Sequence, residues 1–245
     1  MTGTQTVPVK RGDSVALILR TVEEHEQELM ALAPRGYEAP MYYAALRLYF
    51  AANPPVLNCK PVSVLKAMLR VAQTGLELGV TCDILPFGDQ AQFSPRAKGL
   101  VELAYSAGTR SVNYGVVREG DEIWDWMLGS DGYVHHRPRR GNSGAISHFW
   151  AVARLGVTGQ VIRVMDVEEI VARKERYSKQ WKTTPLAEIP WYGIKTVIRE
   201  VCSYLPKNAR FAAALRYDEA EQEPAPEDEP PTPTQSAGDD EPVPF

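Results

Sequence analysis

Apolar residues recur at helical spacing from Ser14 to Ala33, at Val15, Ile18, Leu19, Val22, Leu29 and Leu32, until Pro34 and Gly36 interrupt them. The spacing predicts one amphipathic helix behind a polar, flexible N-terminus at residues 1–12. Further helices are expected from Pro40 to Ala52 and from Pro61 to Thr74, the latter stopped by Gly75. The pattern then changes. Ile84-Leu85-Pro86-Phe87 and Ala91-Gln92-Phe93 flank Gly88-Asp89-Gln90, the composition of a hairpin. A helix should follow, capped by Ser94 with Pro95 in its first turn and ended by Gly108. Alternating stretches near 111–118, 122–128, 132–136, 145–155 and 160–165 predict strands. Asp166 can cap a helix reaching Tyr177, and 178–189 reads as an exposed connection. Ile194, Val197, Ile198, Val201 and Leu205 then line one face of a helix over Trp191–Tyr204, followed by a short helix over 208–217. The expected fold is α+β: a helical N-terminal third, a small, mostly antiparallel central sheet packed with helices, and C-terminal helices.

Charge divides this chain more sharply than hydropathy does. From Asp218 to Phe245 there are ten acids, seven prolines and no Lys or Arg. This 218–245 segment is expected to be a disordered acidic tail, because it has too little apolar surface to offset its ordering entropy. The remaining 21 acids stand against 27 bases, so residues 1–217 carry a formal +6 beneath a whole-chain −4. A basic body is compatible with polyanion binding. Cys59, Cys82 and Cys202 are widely spaced and odd in number, which fits neither a disulfide framework nor a zinc motif. With no long apolar run and no signal-like start, the expectation is a cytoplasmic protein away from membranes.

Several basic groups stand out. Lys195 and Arg199 lie one helical turn apart, opposite the apolar stripe, and serve either as a solvated face or as two phosphate contacts. Arg96 and Lys98 open the helix after the first hairpin, where backbone N–H groups also favour an anion. Arg137, Arg139 and Arg140 form the densest positive run, beside His135 and His136. Arg173, Lys174, Arg176 and Lys182 interleave with Tyr177 and Trp181, the cation-and-ring chemistry suited to single-stranded nucleic acid. Trp124 and Trp126 share a strand face, as core residues or as stacking rings. Asp121, Glu122, His135, His136 and His148 match no metal-ligand spacing, and neither a metal site nor a cofactor is indicated. Phosphate loop, dinucleotide fingerprint and serine-nucleophile turn are all missing from the sequence.

Taken in order, several segments resemble the RecT family of phage and prophage single-strand annealing recombinases. They are Cys59-Lys60-Pro61-Val62-Ser63, Gly75-Leu76-Glu77, Ile84-Leu85-Pro86-Phe87-Gly88, Lys98-Gly99-Leu100-Val101-Glu102-Leu103-Ala104, Val116-Val117-Arg118-Glu119-Gly120-Asp121, Trp150-Ala151-Val152-Ala153-Arg154, Lys195-Thr196-Val197-Ile198-Arg199 and Tyr204-Leu205-Pro206. Pro95-Arg96-Ala97 departs from the family's frequent Gly-Tyr, and Tyr105-Ser106-Ala107 from its Arg-Ser. The resemblance implies an annealing domain over 13–217 that binds single-stranded DNA, assembles into homo-oligomeric rings or filaments and pairs complementary strands without ATP or covalent chemistry. It places Lys98, Lys195 and Arg199 first among phosphate contacts. A non-annealing strand-protecting protein and a metal-dependent nuclease are the competing readings.

The stretch Gly238-Asp239-Asp240-Glu241-Pro242-Val243-Pro244-Phe245 resembles the acidic tip of bacterial single-stranded-DNA-binding proteins. That resemblance implies a docking peptide, either for host proteins that read such tips or for the chain's own basic groove.

Overall fold

The computed structural model describes residues 11–32, 39–141, 143–156, 159–177 and 181–220. Its first helical signal is broken in two, α1 (Arg11–Glu23) and α2 (Glu26–Leu32). His25 explains the break: its backbone N–H bonds Val22 O (3.1 Å), one residue short of helical spacing. Its ring Nδ1–H donates to the Thr21 carbonyl (2.8 Å), the acceptor a continuous helix would have used. The expected stop at Pro34 and Gly36 lies outside the described residues.

The next elements match their sequence signals closely. Helix α3 (Ala39–Ala52) leads through a 3₁₀ turn (Pro54–Asn58) into α4 (Pro61–Thr74), which ends at Gly75 in the left-handed region (φ +70°). Tyr49 ties α3 to the first hairpin by donating to Ile84 O (3.0 Å) and accepting from Ile84 N–H (2.8 Å). Burial pushes its phenol up to about 12.

The strands form three antiparallel sheets where the sequence pattern suggests one. Strands β1 (Cys82–Phe87) and β2 (Gln90–Pro95) make a hairpin, β3 (Ser111–Arg118), β6 (Ile146–Leu155) and β7 (Gly159–Asp166) a sheet in the order β3-β6-β7, and β4 (Ile123–Met127) and β5 (Tyr133–Arg137) a second hairpin. The separation begins at Arg118, where the register shifts. Asp121 takes the Arg118 N–H (2.9 Å), so the chain leaves the β3 ladder and restarts as its own ribbon.

Helix α5 (Ala97–Ser106) starts later than Ser94 and Pro95 suggest. Pro95 still pairs with Cys82 in the hairpin, and Arg96 is the N-cap, its N–H held by Thr81 O (2.9 Å). Helix α6 (Val167–Tyr177) is capped as expected, Asp166 accepting from Glu169 N–H (2.7 Å). The connection after it is less exposed than its composition suggests. Leu186 and Ile189 are buried, and Lys174 reaches across to the Thr184 carbonyl.

Helix α7 (Pro190–Ser203) buries Val197, Ile198 and Val201 and packs on β6. Gly193 makes that approach possible, since a Cβ there would lie 2.5 Å from the Phe149 ring. Helix α8 (Ala209–Ala220) closes the core through Phe211, Ala214 and Leu215, against α4, β2 and α5. The boundary drawn from composition at Asp218 therefore falls inside a helix, and Asp218 is 2% exposed. Among the described residues, no helix is long and apolar enough to cross a membrane.

Candidate nucleic-acid interface

Helix α7 turns its buried stripe toward the sheet, which leaves Trp191, Lys195 and Arg199 successive on another face at one-turn spacing. That face borders a groove of about 640 Å³, whose other sides come from the β1–β2 hairpin, the start of α5, the end of α6 and the last turn of α8. Part of the lining is apolar and open to solvent, at Val80, Leu85 and Phe87. Part is aromatic, formed by Tyr177, Trp181, Trp191 and Tyr192. Trp181 and Trp191 meet edge to face at 5.5 Å, leaving Trp191 45% exposed. Burial raises the Tyr192 hydroxyl pKa, against the pull of the Arg199 and Arg173 guanidiniums.

Five cations line the same groove, Arg96, Lys98, Arg173, Lys195 and Arg199, against three acids, Asp83, Glu200 and Asp218. All but one of the cations are engaged. Arg96 forms a two-pronged bond to Asp83 (2.6 and 2.7 Å), and this carboxylate holds the guanidinium pKa above its ordinary value. Arg173 bonds Glu200 (2.5 Å) and reaches Glu169 (3.8 Å). Lys195 and Arg199 converge on Asp218 at 3.3 and 2.8 Å. Their side chains are only 24% and 19% exposed, so they are not the open surface pair that helical spacing alone suggests, because the last turn of α8 covers them. Lys98 enters none of these pairs and stands exposed in the first turn of α5. No side chain caps that helix, which leaves its first backbone N–H groups for an anion.

The remaining basic candidates lie elsewhere. Lys174 is buried on its bond to Thr184, and Arg176 stacks over Tyr177 (5.2 Å); with Lys182, they do not line the groove. Arg137 and its neighbours Arg139 and Arg140 follow or end β5, on the second hairpin. Residues 119–140 hold five acids against these three arginines, and Arg137 faces Glu122 (3.9 Å), so the charge of this run is offset in part within its own hairpin.

The acid and histidine cluster has a structural use. Asp121 accepts from His136 Nε2–H (2.8 Å), and His136 Nδ1 accepts the Trp150 indole N–H (3.1 Å). An indole only donates, which sets the tautomer. Trp124 rests against His136 and His148, whereas Trp126 is exposed. Among the described residues, no group of three or more His, Cys, Asp or Glu is placed to hold a metal ion. The tail residues Asp239, Asp240, Glu241, Pro242, Pro244 and Phe245 lie outside the described residues.

Three contributors escaped the sequence reading: the apolar side formed by Leu85 and Phe87, the ring pair Trp191 and Tyr192, and Asp218. Trp191 carried a legible signal, one turn before Lys195 on the same helix. Asp218 carried none, since its neighbours in sequence are acidic and proline-rich.

Comparison with known proteins places relatives alongside the chain. The RecT family model matches residues 45–233. The chain is also 29% identical over 227 residues to Protein RecT of Escherichia coli (strain K12), an alignment covering 87% of this chain and 82% of that protein.

Proposed function

The chain belongs to the RecT family, and from that membership we propose that it anneals complementary single strands of DNA during homologous recombination, without ATP and without covalent chemistry. The observation that carries this reading is the groove, in which five cations and five aromatic side chains line one cavity. Backbone phosphates need charge, and splayed bases need flat apolar partners. A strand would lay its phosphates along Lys98, Lys195 and Arg199 and its bases against the Trp191 side. Held this way the bases stay unstacked and open to a complement, and base pairing itself supplies the free energy. The protein's contribution is alignment of two polyanions that otherwise repel. Homo-oligomeric rings or filaments would extend one groove into a continuous track for the strand.

Mixing complementary strands with and without protein, in the absence of ATP, tests the proposal. Faster pairing with intact strands is the expected result. Protection without faster pairing would select a strand-coating protein instead, and cleavage would select a nuclease.

A further inference from the structure

Asp218 is the least expected member of the groove. It occupies the last turn of α8, where the negative end of the helix dipole disfavours an acid, and no basic residue offsets it there. Its side chain is nonetheless 3% exposed, with its two oxygens on Lys195 Nζ (3.3 Å) and Arg199 Nε (2.8 Å). The cations of α7, not its own helix, hold it in place. A carboxylate offered to an ammonium and a guanidinium in this way presents the same charge and paired oxygens as a phosphodiester.

We propose that Asp218 is an internal stand-in for a nucleic-acid phosphate, occupying Lys195 and Arg199 in the DNA-free protein and displaced when a strand enters. This rests on the reading of the groove as the strand's binding site. The exchange asks little of the fold. Tyr217 is anchored by its hydroxyl bond to Gln73, its edge-on contact with Phe93 (6.2 Å) and the Arg70 guanidinium over its ring (4.5 Å). Upstream, Phe211, Ala214 and Leu215 are in the core. Only the end of α8 from Asp218 to Ala220 has to fray, the part of a helix that opens most readily. Glu219 follows directly, so the displaced turn is itself repelled by the incoming strand.

Salt dependence gives the device a signature. Free cations release counterions when they meet phosphate, whereas cations already held by a carboxylate exchange one anion for another. In the full chain, Asp218→Asn should bind oligothymidylate at least about fivefold more tightly at moderate salt, with a log Kd against log salt slope steeper by about 1. Equal or weaker binding by a folded variant overturns the proposal and makes Asp218 a brace. Should the variant not fold, hydrogen exchange on the natural chain decides: oligothymidylate should lower protection at the end of α8, and retained or increased protection overturns the idea. Lys195→Ala combined with Arg199→Ala separates the two levels. Weaker binding to all sequences with a flatter salt slope keeps the groove assignment, and unchanged binding removes the groove reading and this inference with it.

Discussion

Trp191 has the geometry of a stacking platform, half exposed on the groove and braced from one side by Trp181 at 5.5 Å. A base laid on its free face would exchange solvent for aromatic contact, an interaction worth about 1–3 kcal/mol in proteins that bind single strands. Trp191→Ala should therefore weaken oligothymidylate binding by roughly ten- to hundredfold while leaving the salt slope unchanged, because no cation is removed. Equal loss for a base-free phosphate polymer would show that Trp191 does not act by stacking. At this scale charge misleads where packing does not. Arg137, Arg139 and Arg140 are prominent in the sequence but lie among acids of their own hairpin, whereas Asp218, hidden in an acidic stretch, is one of the best-placed side chains in the groove.

Between elements, the closest constraint on the groove is the seat of α7 against β6. The Gly193 backbone faces the Phe149 ring so closely that an added Cβ would stand 2.5 Å from two ring carbons, with Phe149 itself fully buried. Gly193→Ala should then cost about 2–3 kcal/mol through overpacking and lower the Tm by roughly 5–10 °C, measured by thermal unfolding. An unchanged Tm would mean that the helix shifts freely on the sheet. Helix and strand positions were largely legible: α4, α6 and all of β3 to β7 fall where periodicity, Asp166 and Gly75 place them. The misses share a cause, competition for backbone partners from a side chain or a neighbouring strand. The His25 ring takes a helix acceptor, Asp121 takes a strand donor, and the hairpin keeps Pro95 from the helix. Spacing alone does not report such competition.

Over the whole molecule, the groove gathers residues from the 80s and 90s, from the 170s to position 200 and at position 218. Each segment was readable as an element, but their convergence was not, because periodicity says which face is buried and not which helix lies beside it. Helix α8 ends at Ala220, two residues beyond Asp218, which lines the groove. If 239–245 is a docking peptide for other proteins, deleting Asp239–Phe245 should abolish capture of proteins that bind acidic tips and leave DNA affinity unchanged. Tighter DNA binding by the deletion would place the peptide in the groove instead, and no change in either would remove it as a docking element. The late position of α8 carries one more consequence. Tyr217 of α8 closes on Gln73, and Asn208 just before the helix on Ser106, partners made far earlier, so the groove is unfinished until α8 has been synthesised and docked. On the proposed reading of the groove, a ribosome still translating this chain would hold no completed strand-binding site beside the single-stranded message it is reading.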